Sequence, residues 1–244
     1  MQAPAPSYRI FPLGDSAISL DFGNRIDEDW NEQVMARYRD WKQSPLPGMT
    51  ELVPAYSSLT VYYDLLSVPV PAGATITAYE VLRQEIEKRM NIPVSNHNAA
   101  YRILSVPVCY DPEFAPDMGK WNEVHGLSPE QVIREHTAGT YKVFMLGFLP
   151  GFAYMGSVNE IIAMPRKPVP EPARAGSVGI AGLQTGIYPL DSPGGWSIIG
   201  RTPWTIFDPF RDEPSLFREG DRVRFYSISR TEFDHMIKEV TPIP

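Results

Sequence analysis

Cysteine is almost absent from this sequence: Cys109 is the only one in 244 residues. No disulfide can therefore form within the chain, and a reducing, cytoplasmic setting is expected. Long apolar runs are missing too, since nothing approaches the ~18 residues of a membrane-spanning helix. Positive charge is in deficit, with 22 Lys and Arg against 29 Asp and Glu for a formal charge of -7. Without a basic stripe, that balance argues against a nucleic-acid surface. The start, MQAPAPSYRIF, has no charged segment followed by an apolar one, so no secretory signal is read.

Groups for metal or triad chemistry are equally sparse. His97, His125, His136 and His235 are scattered, none two or four positions from another His or Cys, and are read as surface or structural. No metal site is expected. No Gly-x-Ser-x-Gly elbow occurs. Cys109, in SVPVCYD, reads as a small buried apolar residue, because nothing basic or helix-terminal around it would activate a thiolate.

What the chain has in quantity is proline, 25 residues, beside 18 glycines, in no repeating pattern. That points to a turn-rich β fold. The first hundred residues follow one grammar. A strand is predicted at Ala17–Phe22, with Ile18, Leu20 and Phe22 on one face. Asp27 is placed to cap a helix through Trp41 with Trp30, Val34, Tyr38 and Trp41 on one side. Strands at Leu52–Tyr56 and Leu59–Tyr63 flank a Ser57–Ser58 turn. A helix covers Ala78–Met90, with Val81, Leu82, Ile86 and Met90 inward, and after the polar link Ser95–Ala100 comes a strand at Tyr101–Tyr110. The order β-α-β-β-α-β is that of a ferredoxin-like unit, and the last strand could equally open the next domain.

The second half has a different grammar. Ser128-Pro129-Glu130-Gln131 announces a helix ending near His136 or Gly139. Short apolar runs separated by Gly and Pro follow, as in KVFMLGF, SVGIAG, WSIIG, PWTIFD and RVRFYSI, which reads as a closed or sandwich-like β domain. The predicted class is thus α+β, with a small α/β domain over 1–98 and a β domain over 99–244.

Two motifs tempt and fail. Gly195–Thr202 (GWSIIGRT) is one residue from a phosphate loop, but Trp196–Ile199 reads as strand, Pro203 blocks a following helix, and Arg201 stands in place of lysine. Gly176–Gly182 (GSVGIAG) lacks both the spacing and the strand-turn-helix context of a dinucleotide fingerprint.

Three segments remain. Phe144–Gly156, FMLGFLPGFAYMG, is uncharged and aromatic, and its glycines and proline forbid a regular helix. Gln184–Pro189 carries Gln184, Thr185 and Tyr188, and Asp191–Trp196 is a tight double turn with Arg201 and Thr202 beyond it. Read from spacing alone, these are either barrel-corner turns or the wall and polar groups of a small-molecule cleft. Arg166, in MPRKPVPEP, is either a solvated loop charge or an anion ligand.

Taken together, PLGDSA, ELVPAYSSLTVYYD, VPVCYD, GLSPEQVIREH, YKVFMLGFLPGFAYMG, AGSVGIAGLQTGIYPLDSPGGWSIIGRTP and GDRVRF resemble one bacterial family over nearly the whole chain. It is the family of the 5-oxoprolinase B subunits, the sporulation histidine kinase A inhibitor and allophanate hydrolase subunit 1. The resemblance implies an N-terminal α/β domain and a C-terminal cyclophilin-like β-barrel. It also implies partners: a second cyclophilin-like subunit of the allophanate hydrolase subunit 2 type, and a third 5-oxoprolinase subunit. ATP would act in that complex, not necessarily bound by this chain.

Residues matching the family's signature are Gly147, Phe148, Pro150, Gly151, Tyr154, Arg166, Gln184, Thr185, Gly186, Tyr188, Pro189, Ser192, Pro193, Gly194, Gly195, Trp196, Arg201 and Thr202. The chain departs from the pattern at Ala153, at Ala173–Ser177, and at Glu171, where a basic residue is common.

The function implied is that of a subunit that opens the lactam of 5-oxo-L-proline with ATP and water, giving L-glutamate. Arg166 and Arg201 are the candidate anion contacts, with Gln184, Thr185 and Tyr188 as orienting groups and Phe148, Tyr154 and Trp196 as walls. The alternatives are a regulator that docks on a sensor histidine kinase, and a carboxyltransferase or urea-degradation component.

Overall fold

The computed structural model describes residues 8–23, 26–93 and 101–240. His97 and the Ser95–Ala100 link lie outside them. The chain divides into two compact units at residues 100/101.

The first unit is a four-stranded antiparallel sheet with two helices. Its strands are β1 (Arg9–Pro12), β2 (Ala17–Asp21), β3 (Met49–Pro54) and β4 (Ser58–Tyr63), arranged β1-β2-β4-β3. Helix α1 (Glu28–Gln43) is capped by Asp27, whose carboxylate accepts the Trp30 N–H at 3.0 Å. Helix α2 (Ala78–Met90) begins in a Thr77–Glu80 capping box. Strand alternation and helical spacing bring Ile18, Leu20, Leu59 and Val61 against Val34, Trp41, Leu82 and Ile86, all fully buried. The turn between β3 and β4 comes earlier than predicted. Pro54, opposite Leu59, ends the strand, and Asn31 donates to the Ala55 and Tyr56 carbonyls.

The ferredoxin-like order does not form. The unread edge strand β1 adds a strand at the start, and the strand predicted at 101–110 leaves the unit, so the order is β-β-α-β-β-α. The Pro-rich approach to Arg9 hides β1 in the sequence.

That departing strand is β5 (Ile103–Cys109), which helps to build the second unit. There α3 (Lys120–His125) and α4 (Pro129–Ala138) precede β6 (Tyr141–Leu146) and β7 (Ala153–Gly156). A one-turn 3-10 helix (Glu160–Ile162) leads to β8 (Glu171–Ala173), β9 (Ser177–Ala181), β10 (Gln184–Ile187), β11 (Ser192–Gly194) and β12 (Ser197–Arg201). The last described elements are β13 (Arg222–Ile228) and α5 (Arg230–Val240).

Seven strands close a barrel in the order β10-β7-β6-β13-β5-β12-β9, while β8 and β11 form a separate ribbon. Every barrel pairing is antiparallel except β5 with β13, which run parallel from Ile103 opposite Arg222 to Cys109 opposite Ile228. Val106, Val143, Met155, Val178, Ile180, Ile187, Ile199 and Val223 are completely buried in the barrel unit's main core. Such apolar burial stabilises at roughly 25 cal/mol per Å².

Ser128 caps α4 in a reciprocal box with Gln131 and delivers His136 to this core. The imidazole stacks on Phe225 at 4.5 Å and on Tyr141 at 5.5 Å. Its Nδ1 lies 2.8 Å from the Tyr110 hydroxyl and its Nε2 lies 2.9 Å from Thr185 Oγ1. Thr185 donates its own proton to the Gly179 carbonyl, so Nε2 carries the hydrogen and Nδ1 accepts from Tyr110. Burial pushes the His136 pKa down to about 3, in keeping with this neutral tautomer. His136 is therefore structural, and Cys109 is a buried free thiol whose pKa burial raises.

Candidate functional site

The aromatic ribbon Phe144–Gly156 is part strand and part turn. Phe144 lies inside β6, a turn carries Gly147 to Phe152, and β7 takes up Ala153–Gly156. The Gly147 N–H bonds the Phe152 carbonyl at 3.1 Å. Gly151, at φ +81°, faces the Phe207 ring. Phe148 also has a left-handed backbone, φ 72°, a costly conformation for a bulky residue, and its side chain is 58% exposed.

Phe152 organises the packing. Its ring is buried and meets Tyr154 at 4.8 Å, Trp196 and Tyr188 at 5.3 Å, and Phe148 at 5.6 Å, all edge-on. Edge-to-face contact is the arrangement that aromatic quadrupoles favour. The chain brings these rings together because β10 lies between β7 and β9, with Gly186 opposite Tyr154.

Above this cluster opens a cavity of about 300 Å³, lined by Phe148, Phe152, Tyr154, Pro165, Arg166, Ala181, Gly182, Gln184, Tyr188, Gly195 and Trp196. Of the residues singled out from sequence, Phe148, Tyr154, Arg166, Gln184, Tyr188, Gly195 and Trp196 meet here. Arg166 crosses Gly195 closely enough that any side chain at 195 would collide with it. Burial raises the Tyr154 pKa against the opposing charge of Arg166. Tyr188 is raised for the same first reason, although the Trp196 backbone N–H, Arg166 and Lys167 all pull the other way. Both phenols are hydroxyl donors at neutral pH, and neither can serve as a base.

Others of the expected set lie elsewhere. Arg201, paired with Arg166 in the sequence reading, lines a different pocket, because β12 carries it past Trp196 to face Phe114. Thr185 is completely buried on His136, since strand alternation turns it away from the neighbouring Gln184 side chain. Thr202 is buried and caps the Trp204 N–H at 3.3 Å. Ser192 sits in β11 opposite Ala173 with an enclosed, unpartnered hydroxyl. Gly194 backs onto the Tyr188 phenol. The stretch Gly195–Thr202 is strand without a following helix, as its sequence implied.

Sequence reasoning assigned no role to a charged clamp behind the cavity. Lys167, its side chain only 8% exposed, reaches Asp117 and Glu171, both at 2.6 Å. Asp117 also takes Lys120 at 2.7 Å and the Ile198 N–H at 2.7 Å, while the Lys167 N–H bonds the Gly195 carbonyl at 2.7 Å. Burial works against both charges, but these bonds outweigh it, holding Asp117 below and Lys167 above their ordinary pKa values. The clamp anchors the segment that presents Arg166. Glu171, one of the departures from the family pattern, belongs to this clamp.

Among the described residues no group of three or more His, Cys, Asp or Glu is arranged to hold a metal ion. No described helix is long and apolar enough to cross a membrane.

Comparison with known proteins adds to this geometry. The chain is 44% identical to the 5-oxoprolinase B subunit of Bacillus subtilis over 95% of its own length and 97% of that protein's. It is 35% identical to the 5-oxoprolinase B subunit of Escherichia coli O157:H7 over 89% of this chain and 94% of that one. The crystal structure of TTHA0988 superposes with a TM-score of 0.73 at 34% identity, covering 87% of this chain and 40% of that longer one. The family described as carboxyltransferase domain, subdomain C and D, matches residues 8–217. The chain belongs to that carboxyltransferase-domain family, in the company of the 5-oxoprolinase B subunits.

Proposed function

We propose that this chain is the B-type subunit of an ATP-dependent 5-oxoprolinase, opening 5-oxo-L-proline to L-glutamate together with companion subunits. The barrel is taken to be of the cyclophilin-like kind, paired with a second barrel subunit. The observation that carries the reading is the Phe152 cavity, in a chain 44% identical to a protein of that name.

A five-membered lactam has an apolar ring edge, an amide and a carboxylate. Edge-on aromatics suit the ring, and a single arginine suits the carboxylate or the oxyanion that develops on the lactam carbonyl. Tyr154, Tyr188 and Gln184 supply hydroxyl and amide groups to fix its orientation, while Phe148, Phe152 and Trp196 exclude water. The lining holds no carboxylate or histidine to act as base, which fits a site completed by another subunit. Phosphate binding is assigned to the complex, because the one glycine-rich stretch resembling a phosphate loop is strand.

The experiment is reconstitution with the companion subunits and an assay of ATP-dependent glutamate release. Arg166→Gln should lower kcat/KM at least tenfold with the complex intact. Full activity in that variant removes the role given to Arg166, and an inactive wild-type complex removes the whole reading.

One observation favours a second reading. Phe148 is exposed and held in a strained backbone at the cavity mouth, as an anchor for a partner protein would be. A docked sensor histidine kinase is the partner in question, and autophosphorylation unchanged at saturating protein eliminates it.

A further inference from the structure

Arg201 and Arg174 share a second pocket, of about 260 Å³, whose walls are Phe114, Pro116, Pro172 and Ile198. The Arg201 guanidinium is fixed on two sides. Its Nε donates to the Ala175 carbonyl at 2.9 Å, and its plane lies over Phe114, 5.8 Å from the ring centre. Its two terminal nitrogens make no hydrogen bond or ion pair among the described residues, and neither does any nitrogen of Arg174.

Acidic groups are near but committed. Glu113, on the rim, is bound by Arg230, and Asp191 accepts the Ala175 N–H at 2.6 Å. Two like charges in one half-enclosed space oppose each other, and the pKa of Arg201 is lowered first by burial and then by Arg174.

A rigid guanidinium that presents its free edge to a cavity is a fork for a planar two-oxygen anion. Ser177, buried and paired opposite Arg201 across β9 and β12, also lines the pocket, and the four apolar walls suit an organic body. With Glu113 already paired to Arg230, two guanidiniums face the one nearby Asp191 carboxylate, a balance of about one net positive charge that suits a monoanion better than a dianion such as phosphate. We infer that the pocket between Arg174 and Arg201 is a binding site for a small organic monocarboxylate, distinct from the Phe152 cavity. The inference does not depend on the function proposed for that cavity.

Benzoate is the probe, titrated calorimetrically into the purified full chain at low salt, with acetate and inorganic phosphate as comparisons. Saturable one-to-one binding is expected, at least tenfold tighter than acetate because of the apolar walls. Arg174→Gln and Arg201→Lys should each weaken it at least tenfold, and Arg166→Gln should leave it unchanged. Arg174 is exposed and forms no part of the core, so its variant decides the matter should Arg201→Lys fail to fold. Absent saturation, indifference to Arg174, loss with Arg166→Gln, or phosphate binding as tight as benzoate would each overturn the assignment.

Discussion

The Arg166 side chain crosses the Cα of Gly195: a β-carbon at that position would stand 2.7 Å from Arg166 Nε and 3.0 Å from its Cγ. Gly195 has an ordinary backbone conformation, so alanine there costs little strain and only forces the arginine aside. Gly195→Ala should therefore raise KM of the reconstituted complex at least tenfold with little change in the thermal midpoint.

Gly194→Ala should behave in the opposite way. Its β-carbon would overlap the hydroxyl of Tyr188, a ring 1% exposed and packed edge-on against Phe152. Overpacking of this kind costs about 1–3 kcal/mol, read as a lower denaturation midpoint.

His136 makes stability depend on pH. Its folded pKa of about 3 lies below the unfolded value of 6.5, so the unfolded chain binds the extra proton first. The contribution is complete above pH 6.5 and is lost as pH falls towards 3, at up to about 1.4 kcal/mol per unit. Asp117 and the other carboxylates with lowered pKa add their losses only below about pH 4.5. The slope of unfolding free energy between about pH 5 and 6.5 should therefore flatten in His136→Gln.

Thr185→Val removes the acceptor for His136 Nε2–H without changing the size of the side chain. An unpartnered buried donor costs about 1–3 kcal/mol, and chemical denaturation should show that loss.

Asp117→Asn leaves buried Lys167 with Glu171, 57% exposed, as its one carboxylate partner among the described residues. Breaking a buried pair costs about 3–5 kcal/mol. Lys167→Met in the same background should recover part of it, because the unpaired charge is then gone.

Much of the fold is legible in the sequence because it rests on local chemistry. Asp27 and Ser128 cap the helices their side chains announce, and Ile18, Leu20, Val34 and Trp41 point inward as their spacing requires. What is illegible depends on distant pairing. Nothing in SVPVCYD says that its partner is RVRFYSI, so β5 could be placed in the wrong unit. The same limit applies to the site. Spacing alone leaves the aromatic, glycine-rich segments open between barrel-corner turns and a cleft; the family resemblance singles out Phe148, Tyr154 and Trp196 as walls, and they line one cavity. Arg201 and Thr202 lie near Trp196 in sequence, yet the five-residue strand β12 carries them out of reach. Asp117 contacts Lys167 across fifty positions and leaves no local trace.

The parallel pairing of β5 with β13 sets the timetable of folding. Every other barrel strand can find an antiparallel neighbour earlier in synthesis, but the ring cannot shut until Arg222–Ile228 is made and returns to Ile103–Cys109. A closure spanning so much sequence is slow, and it leaves strand edges open to other chains meanwhile. A ribosome stalled before residue 222 would thus carry an open sheet with both edges bare, the form most in need of a chaperone.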